Sequence, residues 1–196
     1  HQSTMYCSLA CALLFVTVVD GVCKGGLPKT ELNGFLSVHN KLRASIRAGK
    51  YVVDGKKMPK AKKNTLPALK WSCELEKSAQ AVSDTCVFAH SKNRNNTGEN
   101  LYTLWFSKQL NITGTGKKAS EAWADEFQEY GWSKDSIKLT MDVFNTGIGH
   151  ATQMAWSKTT LLGCGITLCQ NKTKIISACH YRNAGNVIGA NIYEIA

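Results

Sequence analysis

Four of this chain's side chains that can exchange protons or hold ions stand out from the rest. They sit in segments unlike ordinary core. His150 lies in Gly149-His150-Ala151-Thr152-Gln153-Met154-Ala155-Trp156, with Gly163-Cys164-Gly165 close behind. His90 lies in Cys86-Val87-Phe88-Ala89-His90-Ser91, Glu99 in Gly98-Glu99-Asn100, and Glu126 in Trp123-Ala124-Asp125-Glu126. Brought together, they would form a site of two imidazoles and two carboxylates. No single spacing is a metal motif, since there is no His-Glu-x-x-His. Taken one at a time, each histidine reads as a structural hydrogen bonder and each glutamate as solvated, and His39 and His180 receive the same structural reading. No serine sits in a nucleophile elbow, so serine-based hydrolysis has no support.

The elements that must position these residues follow from periodicity. Leu32, Phe35, Leu36, His39, Leu42 and Ile46 share one face at helical spacing, which predicts a helix over 31–48, with Thr30 as its cap and Gly49 as its stop. A Lys-rich polar loop follows to Lys63. Leu75, Ala79, Val82 and Cys86 make a second stripe, over 70–85. Residues 99–102 read as a short strand. A third helix is expected over 117–130, with Ala119, Ala122, Trp123 and Phe127 inward, and then an irregular connection over 131–145. Residues 161–168 and 174–181 read as strands about the Gln170-Asn171-Lys172 turn, and 186–195 as a possible last strand. Helices first and strands later argue for α+β over a parallel doubly wound sheet.

The 196 residues suit one domain, over 23–196. The net charge is +10, half of it from Lys56, Lys57, Lys60, Lys62 and Lys63. The excess favours acidic partners such as an anionic surface, although a solvated loop explains the Lys run. No nucleic-acid motif accompanies the charge. The apolar run Ala10–Val19 is too short for a comfortable transmembrane span and reads as a secretion signal within 1–22, with His1–Thr4 as an added remnant ahead of Met5. No Lys or Arg precedes that run, so a retained N-terminal arm is the alternative. Outside this stretch, Cys23, Cys73, Cys86, Cys164, Cys169 and Cys179 form an even set suited to disulfides. The hairpin places Cys164 opposite Ala178 or Cys179. A Cys164–Cys179 bridge would leave Cys86 for Cys169 and Cys23 for Cys73, with other connectivities open. Sequons at Asn95, Asn111 and Asn171 agree with an oxidising, extracellular compartment.

These segments, in this order, resemble the CAP superfamily (the SCP domain of cysteine-rich secretory, antigen 5 and pathogenesis-related proteins). The matching pieces are Phe88-Ala89-His90-Ser91, Gly98-Glu99-Asn100-Leu101, Trp123–Glu126, Gly149–Trp156 and Cys179-His180-Tyr181 with Gly185-Asn186. Val38-His39-Asn40-Lys41-Leu42-Arg43 matches the opening helix. The resemblance covers 30–194 and is strongest to single-domain nematode venom-allergen-like or activation-associated secreted proteins. Ala151 stands where the family usually has an aromatic residue, which should widen the cleft beside His150. Asn183 stands where proline is common.

The resemblance implies a three-layer α–β–α sandwich with a mostly antiparallel sheet and a central cleft. His90 and His150 would line the cleft and hold a divalent cation, zinc or magnesium, with His90, Glu99, Glu126 and His150 as the tetrad. Two histidines are fewer than the three protein ligands usual for catalytic zinc, so a binding cleft is favoured over an enzyme. The resemblance also implies binding of sterol under an aromatic loop, here Phe127, Tyr130, Trp132, Ile137 and Phe144. It implies fatty acid held between the helices around Leu36–Ile46 and Ala119–Phe127. The function that follows is a secreted protein binding sterol or fatty acid and modulating a host immune target. The alternatives are a metal-assisted hydrolase and a receptor-binding immune ligand with a vestigial cleft.

Overall fold

The computed structural model describes residues 23–132 and 137–196; the expected signal, 1–22, lies outside the described residues. Helix α1 spans Lys29–Arg47. It starts one residue before the expected Thr30 cap because the Pro28 carbonyl accepts from Glu31 and Leu32 N–H. Asp54 and Gly55, both at positive φ, turn a small hairpin between β1 (Val52–Val53) and β2 (Lys56–Lys57) inside what reads as a plain loop. The Asp-Gly pair is a strong hairpin signal that the charge run obscures. Lys70–Trp71 is strand β3, not the start of a helix, because it pairs in parallel with Leu161–Leu162. Ser72 then accepts from Leu75 N–H and starts α2 at Cys73–Asp84.

Strand β4 runs Gly98–Trp105, longer than the short strand expected. Helix α3 spans Thr115–Tyr130 and has no cap of its own; the buried Glu31 of α1 accepts from Gly114 N–H (2.7 Å) and Gly116 N–H (2.8 Å). The connection that follows is partly wound. It holds α4 (Met141–Val143), a turn over Phe144–Ile148 kinked at Gly147, and α5 (Gly149–Met154). Strands β5 (Leu161–Cys169) and β6 (Lys174–Arg182) form the expected hairpin, with Gln170, Asn171 and Lys172 all at positive φ. The expected last strand is absent. Asn191 and Ile195 make only isolated bridges, to Lys138 and Ala61, while Ile192 and Tyr193 fill the core.

The main sheet has the order β3-β5-β6-β4, parallel only at β3–β5. Alternation along β6 sets the layers. His180 bonds Ser78 of α2, and Ala178 packs on Ala79, whereas the next residue after His180, Tyr181, meets His39 of α1. Thus α2 covers one face, and α1, α3 and α5 pack as a group on the other, an α+β sandwich. The hairpin register puts Cys164 opposite Cys179, and they are bridged; the other bridges are Cys86–Cys169 and Cys23–Cys73. Glycine lets α2 lie close on β5. A Cβ on Gly163 would sit 2.2 Å from Glu76 N, and one on Gly165 would sit 2.3 Å from Gln80 Cα.

Helix α1 also buries two polar side chains. The Arg43 guanidinium, fully buried, donates to the carbonyls of Pro67, Met154, Trp156 and Thr159. Burial, with Arg47 nearby, lowers its pKa to about 9. His39 bonds the Phe35 carbonyl through Nδ1 (2.8 Å) and Tyr181 Oη through Nε2 (2.8 Å). A carbonyl only accepts, so Nδ1 carries the proton and Nε2 accepts from the phenol. Burial lowers the His39 pKa to about 4, opposed by the Phe35 carbonyl and aided by Arg43.

Two outcomes follow. Gly165→Ala forces the sheet off the α2 backbone and costs about 2–3 kcal/mol in urea unfolding, whereas Gly55→Ala meets only backbone strain and costs about 1 kcal/mol. Folded His39 takes its proton near pH 4 and unfolded His39 near 6.5. Between these values the unfolded chain binds the extra proton, so stability falls as pH drops through that window, by about 3 kcal/mol in all. Urea midpoints at pH 7, 6 and 5 should fall less steeply for His39→Gln than for the wild type; equal slopes would refute this origin.

Candidate functional site

Strand β4 brings Glu99 to the sheet face under α2, with its side chain fully buried. Four donors converge on its carboxylate. Oε1 accepts from His90 Nδ1 (2.7 Å) and Ser91 N–H (3.0 Å); Oε2 accepts from Ser91 Oγ (2.6 Å) and His180 Nε2 (2.9 Å). Burial alone would raise its pKa, but the bonds from His180, His90 and Ser91 prevail and hold the carboxyl far below the usual range. His180, read from sequence as merely structural, thus anchors the carboxylate that orients His90. The strand register held the signal, since Glu99 and His180 are direct cross-strand partners.

Glu126, at the inner face of α3, does the same for His150. Its Oε1 accepts from His150 Nδ1 (2.5 Å), and its Oε2 accepts from the N–H groups of His150 (2.9 Å) and Ala151 (3.0 Å). The carboxylate therefore also caps the start of α5. The His150 ring lies nearly parallel to Trp123 at 5.9 Å, and Trp123 is fixed by a bond from its Nε1 to the Leu101 carbonyl. Asn100 ties strand to helix by donating to the His150 carbonyl (3.2 Å) and to Tyr181 Oη (3.0 Å).

Both imidazoles line one cleft of about 650 Å³. Each Nδ1 faces a carboxylate and carries the ring proton, so in the neutral ring each Nε2 presents a lone pair. Neither Nε2 has a protein partner among the described residues. The His90 side chain is 52% exposed and that of His150 33%, enough for a ligand to reach both. The donor set fits a divalent cation: two imidazoles, each backed by a carboxylate, with water left to complete the shell. Among the described residues, one compact trio of potential ligands exists elsewhere, Cys23, Cys73 and Glu76. It is no metal site. The two sulfurs form a disulfide, and Glu76 already accepts from Leu27 N–H and Trp71 Nε1.

The rest of the wall is tied down by side chains of α5. Gln153 accepts from Gly185 N–H (2.8 Å), and Thr152 Oγ1 donates to Asn186 Oδ1 (2.7 Å), whose amide donates to the Gly149 carbonyl. Ala151 is fully buried in the core and is not part of the wall, so the missing aromatic ring does not widen the cleft. Of the five residues expected to cover a lipid, Phe127 and Ile137 are core and offer no surface. Trp132 is half-buried against Phe127. Tyr130 and Phe144 are exposed, and Phe144 lines the cleft. Residues 133–136 of this connection lie outside those described. At the near end of the expected fatty-acid seam α1 and α3 touch closely: a Cβ on Gly116 would sit 2.4 Å from the Glu31 carbonyl oxygen, and Phe35 and Phe127 are wholly buried. Asn95, Asn111 and Asn171 are all exposed.

The chain and its fold have counterparts. The Cysteine-rich secretory protein family, CAP, matches residues 36–181. Ancylostoma secreted protein of Ancylostoma caninum is 36% identical over 179 residues, which cover 87% of this chain and 40% of that protein. Venom allergen 3 of Solenopsis invicta is 32% identical over 87% of this chain and 74% of its own length. The chain thus spans well under half of the first of these relatives. The structure of BmVAL-1 superimposes with a TM-score of 0.83 at 39% identity, over 89% of this chain and 87% of that one. The crystal structure of NaASP2 with Zn2+ gives 0.81 at 34% identity, over 89% and 91%. A family match running from α1 through β6 and a shared fold lead to one conclusion: the chain belongs to the cysteine-rich secretory protein (CAP) family.

Proposed function

We propose that this protein acts outside the cell as a binding protein and holds a divalent cation, zinc or magnesium, on the Nε2 atoms of His90 and His150. The observation that carries the reading is the pairing of each Nδ1 with a carboxylate that is itself held by further donors. This arrangement fixes the tautomer and aims the remaining nitrogen at the cleft. The three disulfides and three exposed sequons support the extracellular setting. NaASP2, similar in fold, has been crystallised with Zn2+. Covalent catalysis by serine or cysteine has no support, because the wall carries neither. Both oxygens of each carboxylate are also already engaged by the protein.

A second reading, lipid carriage toward a host immune target, is supported by the exposed Tyr130 and Phe144, whose rings flank Gly147 and Gly149 beside the cleft. It rests on fewer residues than the sequence suggests, since Phe127 and Ile137 are core.

Isothermal titration with zinc chloride should show saturable binding that is lost in the His90→Ala, His150→Ala variant while its far-UV spectrum is kept. Glu126→Gln should weaken zinc about tenfold, because the neutral amide orients the ring less firmly and lowers its basicity. Zinc binding undiminished by loss of both histidines would remove the basis of the reading. For lipid, labelled cholesterol and palmitate should bind saturably, and Phe144→Ala should weaken that binding; no saturable uptake would exclude this second role.

A further inference from the structure

The two imidazoles are not alone in facing the cleft. Arg94 lines the same wall, on the loop between His90 and β4. Its backbone is fixed: the Arg94 carbonyl accepts from Thr97 N–H (2.8 Å), and the next residues, Asn95 and Asn96, take left-handed φ values of 42° and 56°. The Asn96 carbonyl accepts from Ala184 N–H (2.9 Å), which ties this turn to the opposite rim. Yet the Arg94 guanidinium has no hydrogen bond or ion pair among the described residues. The nearest acid of the wall, Glu99, is unavailable to it, as both its oxygens are taken by His90, Ser91 and His180. The cleft therefore presents two kinds of unfilled capacity: imidazole lone pairs, which take a cation, and a fork of guanidinium donors, which takes an oxyanion.

Charge links the two. Glu99 and Glu126 bring two negative charges to the site. A divalent cation on the imidazoles would cancel them and leave the Arg94 charge uncompensated. We propose that the cleft binds an ion pair, a divalent cation on His90 and His150 together with a carboxylate- or phosphoryl-bearing ligand on Arg94. The physiological ligand is then an anionic molecule whose capture is coupled to the cation. This rests on the cation reading above and adds the ligand's charge class and the residue that recognises it. Phe144 and Asn186, on the same wall, would meet whatever the oxyanion is attached to, and the apolar Phe144 ring favours a ligand with a hydrocarbon portion. The guanidinium is exposed, so salt screens the contact and its contribution is modest.

The test is zinc titration calorimetry in a buffer free of chelating anions, repeated with saturating acetate and with saturating methylphosphonate, which separate carboxylate from phosphoryl preference. By linkage, the favoured anion tightens zinc binding, and zinc tightens that anion's binding by the same factor, about fivefold. Arg94→Ala removes a positive charge that repels zinc, so its zinc binding without anion becomes somewhat tighter, and the anion's effect disappears. Arg94→Lys keeps part of the effect. Zinc binding that is indifferent to both anions in the wild type would overturn the proposal and leave the cation reading intact. So would an anion effect that survives in Arg94→Ala. Absence of zinc binding under every condition would overturn both.

Discussion

A helix of six residues cannot hold itself together in water, and α5, Gly149–Met154, is held instead by buried ions at its two ends. Glu126 receives the N–H groups of His150 and Ala151 at the start; Arg43 donates to the Met154 and Trp156 carbonyls at the end. Each charge meets the end of the helix dipole that it stabilises. Neither ion has to be paired with the other, because each is solvated by backbone. Arg43 illustrates this: it is completely buried, has no carboxylate partner among the described residues, and places four of its five N–H donors on backbone carbonyls. Such groups cost several kcal/mol to desolvate, so removing their partners is far more damaging than the net worth of any one bond suggests. With α5 fixed, its side chains Thr152 and Gln153 fix the far rim of the cleft through Asn186 and Gly185.

The two histidines reach the cleft from different layers and are held by the same device. His150 comes from the helical side, pinned by Glu126 and stacked on Trp123. His90 comes from a loop over the other face, pinned by Glu99, which is itself braced by His180 from the neighbouring strand. Ser78 of α2 contacts His180 at 2.7 Å and extends the brace into the helix. The buried carboxylate of Glu99 keeps its charge only because four donors surround it, so the brace and the depressed acidity are one fact. The disulfide Cys86–Cys169 closes the loop on the sheet just ahead of His90 and limits how far that loop can stray.

Much of this was legible in the sequence where the pattern is local. The 3.6 period marked α1, α2 and α3 to within a few residues, and the two β-rich runs about Gln170-Asn171-Lys172 marked the hairpin, whose register pairs Cys164 with Cys179. What was hidden depends on contacts distant in sequence. Lys70–Trp71 continues a helical pattern but is drawn into a strand by Leu161–Leu162. The start of α3 has no local cap because Glu31 supplies one from α1. Phe127, already expected inward on α3, offers no ligand surface, and Ile137 is swallowed by the core too, since an apolar type in an irregular connection carries no mark of which neighbour it will meet. His180 looked inert because its partner, Glu99, lies on another strand.

The adjacent residues Glu99 and Asn100 show why the cleft needs a strand between its two imidazoles. Side chains alternate across a sheet, so neighbours in β4 face opposite layers. Glu99 turns toward α2 and takes His90; Asn100 turns toward α1 and α5 and takes the His150 carbonyl and Tyr181 Oη. Tyr181, whose oxygen accepts from Asn100, must give its proton to His39, so the bond directions run without ambiguity from α1 through the sheet to α5. One dipeptide thus sets the positions of both histidines relative to a single rigid backbone. A loop could bring two imidazoles together, but their separation would then vary with every fluctuation of that loop. A strand paired along its whole length to β6 allows far less variation, and a cation held by the two imidazoles alone would depend on that fixed spacing, with no third protein ligand to correct it.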